Sequence, residues 1–174
     1  MWNWSHIINI VLTGMLLAAV YTDIRFGKIF NKLTLPCIGL GLLLNFLKGG
    51  WADLGFSLQG IGLALVVTAA LIVLMGGGFG GGDIKLLAAI GALRGWQFLL
   101  WTTLYTALIS GALTIIFLIK RGIFTYTAKN LAINVLHRSM GTSQDIAAGS
   151  RGGKLPYSIA IALGTSIAIW RFGI

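Results

Sequence analysis

A chain of 174 residues that is 57% hydrophobic and only 10% charged does not carry the surface of a soluble domain, in which about a quarter of the residues are charged. It reads as a membrane protein, with one domain over residues 1–174. The net charge of +9 is scattered along the connections between apolar runs, which points to anionic lipid as the partner and does not by itself suggest nucleic acid, so none is expected.

A bilayer core about 30 Å thick takes roughly 20 helical residues. The first span is predicted over residues 6–21, with Trp2 and Trp4 as interfacial anchors ahead of it. No basic stretch precedes it, so it is expected to be retained rather than cleaved as a signal. A basic segment, 22–32, follows. The second span covers 33–47, with Pro36 in its first turn, where a missing N–H does no harm. The single cysteine, Cys37, is read as a small buried hydrophobe, and one cysteine allows neither an internal disulfide nor a cysteine metal cluster. Residues 48–53 form a turn, and the third span covers 54–75.

Next comes Gly76-Gly77-Gly78-Phe79-Gly80-Gly81-Gly82-Asp83-Ile84-Lys85. Glycine is costly to hold in a helix, but it lets another backbone approach closely. Beyond it, residues 84–93 are apolar for a stretch that reaches only about 15 Å as a helix. The fourth span is therefore set at 82–96, with Asp83 near one end. Either the bilayer thins around it, or part of the glycine stretch and Trp96 complete it. The fifth span covers 97–119 and the last 155–170. Between these two, residues 123–136 have the spacing of an amphipathic helix lying on the membrane, and 139–153 read as a polar loop. The expected fold is all-α: a polytopic membrane protein of about six transmembrane helices, with a cytoplasmic loop and amphipathic segment before the last.

Charge sets the orientation. With both ends outside, the inner connections hold Arg25, Lys28, Lys32, Lys85, Lys120, Arg121, Lys129, Arg138, Arg151 and Lys154, against Lys48, Arg94 and Arg171 outside. That asymmetry follows the positive-inside bias. It puts Asp23 and Asp83 on the cytoplasmic side, each where a span meets its connection, and Asp53 on the other.

Two carboxyls at one depth on separate helices are the minimum equipment of an aspartic protease. One takes a proton from water while the other donates to the scissile carbonyl, and a close pair shares a proton because both cannot ionise together. An Asp at a span end also serves as a helix cap or pairs with a cation, and Arg25 and Lys85 stand near the two acids. Their coincidence on one side, with one acid in a glycine run, favours chemistry. Bare backbone beside Asp83 would let an extended substrate lie close.

Gly80-Gly81-Gly82-Asp83-Ile84-Lys85 resembles the G-x-G-D-x-K motif of the type IV prepilin peptidases, intramembrane-type aspartic proteases. Asp23, followed by Arg25, Ile29 and Asn31, resembles the family's first-aspartate motif, with Phe30 where the family commonly has proline. Leu155-Pro156-Tyr157 is similar to the pattern that opens the family's last span. The resemblance implies catalysis by Asp23 and Asp83, substrate contacts at Gly80, Gly82 and Lys85, with Lys85 also tuning or positioning the site, and neither cofactor nor metal. It implies removal of a short basic leader from a prepilin or preflagellin-like protein at the cytoplasmic face of the inner membrane. Larger members carry a zinc-binding segment with paired C-x-x-C motifs, associated with N-methylation. This chain resembles the short form, as in Tad/Flp-pilus systems or archaeal preflagellin peptidases, and methylation is not expected of it.

Other readings fit less well. Gly76, Gly78 and Gly81 spell G-x-G-x-x-G, but no acid lies between Asp83 and Asp145 to hold a ribose, and no G-K-[ST] follows. A serine protease needs a histidine at the level of its serine, and neither His6 nor His137 matches Ser110. A presenilin-like protease would carry Tyr before its first Asp, where this chain has Thr22. The alternative from another class is a small transporter or secretion-complex subunit with Asp23 and Asp83 as an ion site.

Overall fold

The computed structural model describes residues 4–75, 80–120 and 157–172. The expected amphipathic helix at 123–136, the loop at 139–153, Leu155-Pro156 and the glycines at 76–78 lie outside the described residues. Those described form the helices α1 (Trp4–Phe26), α2 (Asn31–Met75), α3 (Gly81–Lys120) and α4 (Tyr157–Arg171). Three of these, α1, α2 and α3, are long and apolar enough to cross a membrane.

Glycine divides the two long helices. In α2 the backbone leaves helical geometry at Gly49 and Gly50, and Gly50 takes a left-handed φ of 64°. Lys48 and Asp53 close this bend with an ion pair of 3.2 Å. In α3 the break is Gly95, at φ 76°, a conformation that side chains resist. The Phe56 ring also occupies the space where a Cβ on Gly95 would go. Arms 31–48 and 51–75 of α2, and arms 81–94 and 96–120 of α3, follow.

The helix ends differ from the sequence reading in two places. α1 continues to Phe26, so Asp23 lies inside its last turn, where its carbonyl accepts the Gly27 N–H at 2.8 Å. Pro36 falls inside α2 rather than in its first turn, because α2 already begins at Asn31. Its missing N–H leaves the carbonyl of Lys32 without its usual helical partner.

Two compact units make up the chain: Met1–Ala107 with Pro156–Ile174, and Leu108–Leu155. Of the second, the described part is the end of α3, where Leu108, Leu113, Ile115, Ile116 and Ile119 are exposed.

The first unit is built around the short arm 81–94. Every residue from Leu86 to Leu93 is buried. Such a helix is enclosed by protein, so its reach of about 20 Å need not match a hydrocarbon core. Small residues allow the enclosure. Gly60 and Gly91 bring their backbones into contact, and a Cβ on Gly41 would lie 2.8 Å from the Ala92 carbonyl carbon. Asn45, itself buried, donates its amide to the carbonyls of Ala92 and Leu93 at 3.0 and 3.1 Å, which the break at Gly95 would otherwise leave without partners. Around this arm, α1 buries Ile8, Leu12, Met15, Leu16 and Ala19, a stripe at helical spacing, and packs on α2 and α4. Outward, Ile10, Leu17, Leu43, Val66, Val73 and Leu163 are exposed, as suits a hydrocarbon solvent.

Candidate active site at the head of α3

Four segments meet at one end of the first unit: the last turn of α1, the connection 27–30 leading into α2, the head of α3 and the start of α4. Gly27 opens the connection with φ 62°, ending α1 in a left-handed residue. The Phe30 carbonyl starts α2 by accepting the N–H groups of Leu33 and Thr34.

Asp83 sits in the first turn of α3. Its N–H donates to the Gly80 carbonyl at 3.0 Å, and its carboxylate folds back over Gly80, whose N–H it accepts. Part of the capping role expected of a lone Asp is therefore present. A carboxylate has two oxygens and about four lone-pair sites, so capping does not exhaust it. A Cβ on Gly80 would lie 3.0 Å from Asp83 Oδ2.

Asp23 reaches α4. Its Oδ2 accepts the Ser158 N–H at 3.3 Å, taking up a donor that the first turn of α4 leaves without an intrahelical partner. Asp23 and Asp83 lie near enough for the charge on one to act on the other. The two candidate acids thus come to the same end, as loop charge anticipates.

Neither acid is spent on a cation among the described residues. Arg25 donates to the Tyr21 hydroxyl at 2.7 Å and lies over the Tyr21 and Phe26 rings. Lys85 donates to Asn31 Oδ1 at 2.7 Å. Both cations stand two residues from an Asp, a spacing at which helical side chains do not face each other. Gly82 lies against Ile29 in the connection, where an added Cβ would be 2.9 Å from Ile29 Cβ. Of the residues expected to touch substrate, Gly82 and Lys85 therefore contact the first-aspartate motif of the chain itself, and Gly80 contacts Asp83. Among the described residues no group of three or more His, Cys, Asp or Glu side chains gathers.

Sequence reasoning did not find Ser158. The signal available was that the last span begins on the side that holds Asp23, and a helix start offers free N–H groups to an anion.

Comparison with known proteins bears on this arrangement. Residues 10–118 match the model of the type IV leader peptidase family, a stretch that holds Asp23, Asp83, Asn31 and Lys85. The chain belongs to that family. It is similar to the prepilin leader peptidase/N-methyltransferase of Aeromonas hydrophila, 37% identical over 112 residues, which is 62% of this chain and 38% of that protein. The protein of the same name from Neisseria gonorrhoeae is 31% identical over 70% of this chain and 44% of its own length. That from Pseudomonas aeruginosa is 36% identical over 67% and 41%. The matched stretch thus spans only about two fifths of these relatives. No solved structure matches the chain closely enough to compare.

Proposed function

We propose that this member of the leader peptidase family is a membrane aspartic endopeptidase that removes the short basic leader of prepilin or preflagellin-like proteins. The reading is carried by one observation: Asp23 and Asp83, on separate helices, come to one end of the first unit, and among the described residues neither is paired with a cation. Family membership supports the substrate class, since the named relatives are prepilin leader peptidases. The helical arms on either side of Gly49-Gly50 and Gly95 each cross the inner membrane, giving six spans with the site facing the cytoplasm. Positive loop charge at that end supports this orientation.

The mechanism follows from the pair. With one proton shared between them, one carboxylate takes a proton from water and the other donates to the scissile carbonyl. The Ser158 N–H holds one oxygen of Asp23, and the turn at Gly80 holds Asp83, so both carboxyls are oriented before substrate arrives. Leader peptide and hydrophobic helix meet at this end, the helix in lipid and the leader in water.

Co-expression with a prepilin tests the reading. Asp23→Asn and Asp83→Asn each stop leader removal while the protein still reaches the membrane. Asp→Glu fails too, because a further methylene misplaces a carboxyl that must be held to about 0.5 Å. Processing by Asp83→Asn at the wild-type level would refute the assignment and leave the two acids to an ion site.

A further inference from the structure

Asp23 and Asp83 are far apart in sequence, so their separation in space depends on what ties their elements together. Two contacts on either side of Asp83 do this. Gly82 lies against Ile29 so closely that no Cβ fits without movement, and Lys85 Nζ donates to Asn31 Oδ1 at 2.7 Å. Residues 82 and 85 are three apart on α3, which places them on one face of its first turn. Ile29 and Asn31 belong to the short passage from α1 into α2, just beyond Asp23. One contact would leave the head of α3 free to pivot against that passage, whereas two fix its rotation as well as its distance.

We propose that Asn31 and Lys85 are positioning residues: their hydrogen bond, together with the Ile29–Gly82 contact, holds the Asp23 and Asp83 elements in catalytic register. This rests on the reading of the two acids as the catalytic pair. It assigns Lys85 to a partner within the chain rather than to substrate. The bond is exposed, and single exposed polar contacts contribute little to stability. Its loss therefore shows in catalysis rather than in folding, because small misplacements of reacting groups carry large rate penalties.

The test uses the purified full chain, in bilayer discs, with a synthetic leader-plus-helix peptide. Lys85→Met and Asn31→Leu each lower kcat about tenfold with KM little changed, and the double variant is no slower than the slower single. Asn31→Asp still accepts from Lys85 and keeps most of the wild-type kcat. A normal kcat in Asn31→Leu, beside a raised KM in Lys85→Met, overturns the proposal and gives Lys85 to the substrate. A second readout needs no turnover. Spin labels at Lys28→Cys and Gly81→Cys, in a Cys37→Ala background, flank the Ile29–Gly82 contact, and Gly81 has open space for a side chain. Dipolar broadening between them weakens when Lys85→Met or Asn31→Leu is added, and unchanged broadening in both overturns the proposal. If wild type leaves the peptide intact while the labels respond, the clasp stands and the protease reading falls.

Discussion

Gly80, Gly81 and Gly82 look alike in sequence, yet each meets something different. A Cβ at Gly81 would enter open space, one at Gly80 would press on Asp83 Oδ2, and one at Gly82 would press on Ile29. Gly81→Ala is therefore expected to process prepilin within about twofold of wild type, since only local helix propensity changes. Gly82→Ala is expected to lower processing about tenfold or more, because the head of α3 must shift against the connection. A co-expression time course ranks the two, and equal activity would show that the Ile29 contact does not matter. The placement of the acids was legible in part. Scarce carboxyls, one in a glycine run, marked Asp23 and Asp83. Proximity in sequence wrongly offered Arg25 and Lys85 as their partners, although a two-residue spacing already turns those side chains away. The actual partners, Tyr21 and Asn31, follow only from the fold.

Among the elements, the short arm 81–94 decides the architecture. Its apolar run, residues 86–93, is short for a bilayer core, and the reason is visible only when the neighbours are placed: protein surrounds it. The neighbours approach through glycine. Gly60→Ala puts a methyl group into the Gly91 backbone and forces two helices apart, while a Cβ at Gly62 meets nothing. Overpacking of this kind costs about 1–3 kcal/mol. Gly60→Ala is expected to lower the thermal midpoint of the purified protein by several degrees, with Gly62→Ala as the silent control, and identical melting of the two would contradict the crossing. Asn45→Leu leaves the carbonyls of Ala92 and Leu93 without their donor, at a cost of about 1–3 kcal/mol. Its melting curve shifts downward likewise, and a wild-type curve would show that the Asn45 amide does not support the end of this arm. Helix boundaries were less legible than helix existence. The α1 ladder runs on through a polar, basic stretch to Gly27, so hydrophobicity alone ended the first span too early.

At the scale of the whole molecule, composition and the spread of basic residues were enough to anticipate a helical membrane protein with both acids at one end. The side on which α4 begins was legible, but its contact with Asp23 was not, because it is made through a backbone N–H far along the chain, which no residue type announces. The apolar exterior and the polar, glycine-bounded end together describe a protein that holds two carboxyls at one end of an apolar helical unit. The most direct measurement is mass spectrometry of a synthetic leader-plus-helix peptide incubated with the purified protein in bilayer discs, alongside Asp23→Asn and Asp83→Asn. The account predicts one cut between leader and helix by wild type, and an intact peptide with either variant. Cleavage that survives both substitutions, or an intact peptide with folded wild type, would contradict it.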